Sequence, residues 1–278
     1  MPFRSEFRRW FQKRECGTWR QHARWLLKFY RWRYQAFRER VTATGPADFT
    51  AIVLSYKRPQ NIDLLVRLLL ATPSVGTVIV SNNNADIRLH PWIAVDDPRV
   101  TIIEQPVNRP CLYRYALARR SDAGYFIAVD DDLFLTPDQL EHVCKCLREH
   151  PEVPHGIFGS QYDSWSGILS VTFCREASMA LLHRLYAFTA DHVREFYRLM
   201  DAMGFHVWHY AWRDKPPTDD VFLSFSGSDY PRIHNVGPFL DCPSSDASGI
   251  ACFREADFFL RRFDIFCSLR RLKPFHRT

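Results

Sequence analysis

The sequence has no glycine-rich phosphate loop. No G-x-G-x-x-G follows its first apolar segment, and no G-x-x-x-x-G-K-[ST] occurs anywhere. That excludes the fingerprint of a dinucleotide dehydrogenase and that of a P-loop ATPase, so a bound nucleotide would have to be held by side chains and metal. No apolar run approaches the roughly 20 residues that cross a bilayer, and the basic N-terminus lacks the continuous apolar stretch of a secretory signal. Glycine is scarce, at 11 of 278 residues, while 46% of residues are hydrophobic, which excludes a disordered or low-complexity chain. Zinc-type C-x-x-C pairs are also missing. The closest of the eight cysteines, Cys144 and Cys146, form a C-x-C within an expected helix, where side chains two residues apart diverge. Reduced cysteines and a cytoplasmic location are therefore expected.

What charge there is lies unevenly. The net charge is +6, yet residues 1–40 hold twelve Lys/Arg against three Glu, a balance of +9 that leaves −3 for the rest. Eleven aromatics crowd into the same leader. Phe3, Phe7, Trp10 and Phe11 fall on one helical face, and Trp25, Phe29 and Trp32 on another. Arginine beside tryptophan suits an interfacial helix on anionic lipid, at the cytoplasmic face of a membrane. It equally suits a helix docked on the body with its arginines in solvent. Nucleic-acid binding is the least favoured reading, and no nucleic-acid partner is expected.

Past a Thr42–Ala47 linker the pattern becomes strand and helix in alternation. Strands are expected at Phe49–Ser55, Thr77–Ser81, Val100–Glu104 and Gly124–Val129. Helices are expected from Pro59 through Leu69, over Leu112–Arg120, and from Pro137 with Thr136 as its cap. That alternation predicts an α/β domain over 47–278 with a mostly parallel sheet flanked by helices, preceded by a basic helical leader and linker over 1–46. In the second half, strands are expected at Gly156–Gln161 and Gly167–Phe173, and helices at Glu176–Leu185, at Ala190–Met203 and from about Phe253.

Ligands of an open α/β sheet sit at the carboxyl ends of its strands. Three such ends are polar: Ser55-Tyr56-Lys57-Arg58, Asn82-Asn83-Asn84 and Asp130-Asp131-Asp132. Three adjacent carboxylates repel one another unless a cation lies among them. Hard divalent ions take oxygen ligands and keep positions open for phosphates, so Asp130 and Asp132 are candidate ligands of Mn2+ or Mg2+. The competing reading is a solvated acidic turn. Asp130-x-Asp132 also fits the Asp-x-Asp phosphatases superficially, but it ends the fourth strand and Phe134 stands where they carry Thr or Val. His206 and His209, at i and i+3, suit a partly buried pair better than a metal site.

Taken in order, Thr50–Arg58, Val78–Asn83, Asn108-Arg109, Ala128–Asp132, Thr218–Phe225 and Ser248–Ala256 resemble the exostosin-type glycosyltransferases, retaining enzymes of GT-A fold. The resemblance covers about residues 49 to 265 and implies transfer of an N-acetylhexosamine or related hexose from a UDP-sugar to a glycan or lipid-linked acceptor. It implies that Arg58, Asn83, Asn108 and Arg109 bind uridine and phosphates, that Asp130 and Asp131 contact ribose and sugar, and that Asp132 ligates Mn2+. Asp219 and Asp220 would lie beneath the sugar at the reacting carbon, with Arg254 alongside. From the residues alone, Asp219-Asp220 also reads as acids favoured at a helix start. A non-catalytic scaffold of the same fold, or a membrane-associated binding protein, is the alternative function.

Overall fold

The computed structural model describes residues 19–38, 40–162, 169–205, 219–245 and 258–275. Arg254, His206, His209, the Ser248–Ala256 segment and the first leader face (Phe3, Phe7, Trp10, Phe11) lie outside the described residues.

The first half folds as its pattern predicts. Strands β1 (Phe49–Ser55), β2 (Val75–Asn82), β3 (Val100–Glu104) and β4 (Tyr125–Asp130) run parallel in the order β3-β2-β1-β4. Covering helices follow two of them: α2 (Ile62–Leu70) after β1 and α3 (Tyr113–Arg119) after β3. Every residue of β1 is buried because the strand feeds two cores: Phe49, Ala51 and Val53 face one, Ile52 and Leu54 the other. Helix α4 (Pro137–Glu149) starts with a full capping box, in which the Thr136 hydroxyl accepts from the Gln139 backbone and the Gln139 side chain accepts from Thr136.

The second half continues the same sheet in mixed sense. β11 (Leu185–Thr189) pairs antiparallel to β4, followed by β6 (His155–Gly156), β12 (Arg232–Ile233) and β9 (Ala177–Ser178). A small antiparallel sheet holds β7 (Phe158–Tyr162), β8 (Leu169–Phe173) and β10 (Leu181–His183), and β5 (Leu133–Phe134) pairs with β13 (Leu240–Asp241). The helix expected at Glu176–Leu185 is therefore wrong. Its apolar residues are spaced as a helix would space them, but β9 and β10 form there instead. Leu181 and Leu182 are both fully buried, and both belong to the Ile52/Leu54 core. Arg184, at φ 63°, then turns the chain from the small sheet into β11. Helices α5 (Ala190–Ala202), α6 (Asp219–Ser224) and α7 (Phe258–Leu272) cover the Ile52/Leu54 face with α3; α2 and α4 cover the other.

Helix α1 (Trp19–Arg38) docks on that second layer. Phe29 is 3% exposed and sits 5.9 Å from the Phe134 ring, Trp32 sits 6.0 Å from it, and Trp25 Nε1 donates to the Asp241 carbonyl at 2.8 Å. The linker is tied down as well: the Thr44 backbone donates to Glu141 of α4 at 2.7 Å. No helix among the described residues is long and apolar enough to cross a membrane.

Candidate active site

The sheet order places a topological switch between β1 and β4. The chain builds outward from β1 to β2 and β3, then returns to lay β4 on the other side of β1. Crevices of this kind open at the carboxyl ends of the two strands. Leu54 is in register with Asp130, so Tyr56-Lys57-Arg58 and Asp131-Asp132 leave the sheet side by side.

The cations among the aspartates are arginines. Arg58 donates to Asp131 Oδ1 at 2.6 Å and lies 3.1 Å from Asp132 Oδ2. Its remaining N–H groups reach Ser244 Oγ at 3.1 Å and the Ser244 carbonyl at 2.9 Å. Arg184 donates to Asp132 Oδ1 at 3.0 Å and pairs with Asp241 at 2.6 Å. The left-handed backbone at Arg184 is what aims this side chain, and its carbonyl accepts from the Asp130 backbone at 2.9 Å. Arg114, 4% exposed on α3, lies 2.9 Å from Asp130 and 3.2 Å from Asp219. Burial would lower the Arg114 pKa, but Asp130 and Asp219 hold it well above the ordinary value. Burial raises Asp130, and it lifts Asp131 to about 6 against the pull of Arg58.

Asp219 and Asp220 open α6 and differ in state. Burial, opposed by Arg114 and reinforced by Asp220 and Asp130, lifts Asp219 to about 6. Burial also pushes Asp220 up, but Arg262 of α7 and His183 outweigh it and hold that carboxyl below its ordinary value. Arg262 donates from Nη2 to Asp220 Oδ2, and its Nη2 lies 2.9 Å from His183 Nδ1. Burial and Arg262 lower the His183 pKa, against the pull of Asp220. His183 Nδ1 lies 2.9 Å from Arg262 Nη2 and 3.2 Å from Asp220 Oδ2, and its Nε2 faces the Ser160 hydroxyl.

The asparagines brace the loops at the same sheet edge. The Asn83 backbone donates to the Ser55 carbonyl at 2.7 Å, and Asn83 Oδ1 accepts from the Ser81 hydroxyl at 2.7 Å. Arg109 donates its backbone N–H to the Asn83 carbonyl at 3.0 Å and lays its guanidinium 5.2 Å from the Tyr113 ring centre. Asn108 Oδ1 accepts from the Ala85 backbone at 2.9 Å. These contacts bring Arg58, Asn83, Asn108, Arg109 and Asp130–Asp132 to one edge of the sheet, and Arg114 joins Asp219 to that edge.

Two of the aspartates fit a hard divalent ion. Asp130 has one oxygen on Arg114, and its side chain is 31% exposed. Asp132 gives one oxygen to each of Arg58 and Arg184, which leaves a lone pair on both. Two carboxylates with open lone pairs are what such an ion uses when waters and phosphate oxygens complete its shell. Four arginines (Arg58, Arg114, Arg184, Arg262) stand against five site aspartates, so the cluster is close to neutral before any ion enters.

Three of those arginines, Arg114, Arg184 and Arg262, and His183 were not singled out from the sequence. A signal existed for two. Arg262 falls in the apolar stripe of α7 with Ile265, Phe266 and Leu269, and Arg114 in that of α3 with Leu117 and Ala118. A cation in a buried stripe needs a buried anion.

No family model matches the chain, and neither does any curated protein. Among solved structures the chain is similar to GalNAc-T7 determined with UDP, GalNAc and Mn2+, with a TM-score of 0.49 and 7% identity over 69% of this chain and 43% of that one. It is similar also to CMP:2-keto-3-deoxy-manno-octonic acid synthetase complexed with CTP, with a TM-score of 0.40 and 10% identity over 58% of this chain and 83% of that one. The chain thus spans less than half the length of the first. Likeness at this level leaves function to be argued from the strands and side chains.

Proposed function

We propose that the protein is a metal-assisted glycosyltransferase of GT-A type that moves a hexose or N-acetylhexosamine from a UDP-sugar to a hydroxyl of a glycan or lipid-linked acceptor. The observation that carries the reading is the convergence of two acidic segments, Asp130–Asp132 and Asp219-Asp220, through Arg114 at the switch point. One segment is suited to the donor's diphosphate side and the other to its sugar. The exostosin-type resemblance places both segments in the same roles and implies retention of configuration.

In this reading Arg58, Asn83, Asn108 and Arg109 hold the uridine and phosphates, and Asp131 fixes Arg58. Asp130 and Asp132 would hold Mn2+ or Mg2+, which supplies charge compensation for the departing diphosphate. The bond from the anomeric carbon to the diphosphate oxygen breaks, and the acceptor oxygen forms the new bond while its proton leaves. Asp220, held ionised by Arg262, faces the positive charge that develops at the anomeric carbon, with Asp219 beside it. Arg254 is assigned alongside on resemblance. Release of UDP over a panel of UDP-sugars with Mn2+ tests the reading; silence across the panel, with no UDP binding by calorimetry, refutes it.

One observation favours the scaffold reading. Unneutralised carboxylates would have no reason to persist in a dead site, but every site aspartate here has an arginine. Charge alone therefore does not argue for catalysis, and the UDP-release assay separates the two readings.

A further inference from the structure

A second cluster of polar side chains lies away from the aspartates, where α4 meets β12. His142 and Cys146 stand one turn apart on α4, at the i and i+4 positions that share a helix face, and His234 follows β12. One ligand-type atom from each falls within 4.8 Å of the other two, and Cys146 Sγ is 3.6 Å from His142 Nε2. Cys146 and His234 are buried, and His142 is exposed at the mouth. The Cys144/Cys146 spacing gives no chelate, but the pair that matters is His142 and Cys146.

Hydrogen-bond bookkeeping supplies an independent reason for a cation there. The fully buried His155 has Nε2 2.8 Å from the His150 carbonyl, which can only accept, so that nitrogen carries the ring proton. His155 Nδ1 is then a lone pair, and it sits 2.7 Å from His234 Nε2, which must therefore donate. His234 Nδ1 is left to face Glu176 Oε2 at 2.8 Å. In a neutral imidazole this would set a lone pair against a carboxylate oxygen, two acceptors with no hydrogen between them. A hydrogen or a metal ion must lie there: either a second proton makes His234 an imidazolium paired with Glu176, or His234 Nδ1 serves a metal shared with His142 and Cys146. A thiolate and two imidazoles are donors that zinc takes, with its fourth position left to another ligand.

We propose that His142, Cys146 and His234 bind a zinc-class transition metal as three protein ligands, at a site distinct from the aspartate cluster. His155 orients His234 from behind, as outer partners of ligating histidines do. The site would pin two segments together, α4 and the stretch after β12 that carries His234. The stretch after His234 then runs to Asp241 and Ser244, the partners of Arg184 and Arg58, and Gln139 of α4 already holds it at the Val236 and Pro238 carbonyls, 2.8 and 2.9 Å away. The metal would thus stiffen the segment that positions the arginines, without touching substrate.

The test uses the full chain, stripped with a chelator and titrated with Co2+ as a spectroscopic probe, alongside metal analysis of the protein as purified. The expected result is one zinc per chain as purified, and a Co2+ form showing visible bands of tetrahedral intensity and a near-ultraviolet thiolate charge-transfer band. Cys146→Ser should abolish the charge-transfer band, and His142→Ala, at an exposed position, should weaken Co2+ binding at least tenfold while leaving the circular dichroism unchanged. Asp132→Asn should change none of these signals, which separates the site from the aspartates. A stripped protein that gives no thiolate band with Co2+, or a Cys146→Ser variant that keeps both the zinc and the band, overturns the proposal. So does a nuclear magnetic resonance spectrum showing a proton on His234 Nδ1 in the presence of Zn2+.

Discussion

Arg114 Nε stands 3.2 Å from Asp219 while the same guanidinium lies 2.9 Å from Asp130. A single buried side chain of α3 therefore couples the acidic end of β4 to the start of α6. Replacing it leaves two carboxylates facing each other without a cation, and the positions of both segments depend on it.

The division of labour proposed for the two acidic segments can be tested by mutation. Asp132→Asn is expected to abolish Mn2+-dependent UDP binding, read by calorimetry with and without the metal. Asp220→Asn should leave that binding intact and lower turnover on the order of 100-fold or more. Normal sugar transfer by both variants would put the site elsewhere.

Arg262 is 2% exposed, and its partner Asp220 is also buried. Removing Arg262 leaves the buried Asp220 charge with only the His183 ring beside it. Arg262→Leu is expected to cost about 3–5 kcal/mol. Asp220→Leu in the same chain should recover part of that loss, because no unpaired ion remains. Urea denaturation of the single and double variants measures the coupling; additive losses would mean the pair is not a unit.

The pH dependence follows from the opposite shifts of Asp219 and Asp220. Asp219 is lifted to about 6, so from roughly pH 4, where the unfolded carboxyl titrates, up to about 6 the folded chain holds the extra proton. Stability from that proton is present below about pH 4 and lost as the pH rises through about 6. Asp219→Asn, neutral throughout, should match the parent near pH 4 and gain on it by on the order of 2 kcal/mol at pH 7. Asp220 is held low, so its contribution is present above about pH 4 and disappears as the pH falls through its depressed value. Asp220→Asn should therefore lose most at neutral pH and little in acid. A stability difference that is flat with pH for both variants would contradict the assignment.

The parts that could be read in the sequence were those fixed by local physics. A seven-residue run such as Phe49–Ser55 is buried on both faces only in a covered parallel sheet, and Thr136-Pro137 with Gln139 writes its helix start in four residues. Strand ends in such a sheet are where polar residues gather, so the aspartates and asparagines were legible too. The arginines were less so. Arg184 reaches Asp132 only through a backbone turn at φ 63° that its residue type does not announce. The Glu176–Leu185 segment shows the same limit: its spacing suits a helix, and the edges of β12 and β7 make it two strands.

The leader helix now divides into two faces with different consequences. Trp25, Phe29 and Trp32 are spent on docking against Phe134 and Asp241, whereas Leu27, Tyr30, Tyr34 and Phe37 remain exposed, with Arg33 and Arg38 among them. Phe29→Ala removes a ring that is 3% exposed and should cost about 3–4 kcal/mol. Replacing Tyr30, Tyr34 and Phe37 together by Ser should leave the unfolding midpoint within about 0.5 kcal/mol of the parent in stability terms, since surface positions contribute little. If the chain adsorbs to anionic membrane through the outward face, the same triple variant should lose liposome co-sedimentation at low salt, and added salt should weaken binding by the parent. Binding that persists in the triple variant would assign adsorption to another surface. Docking does not exclude adsorption for this helix, because different side chains would carry each.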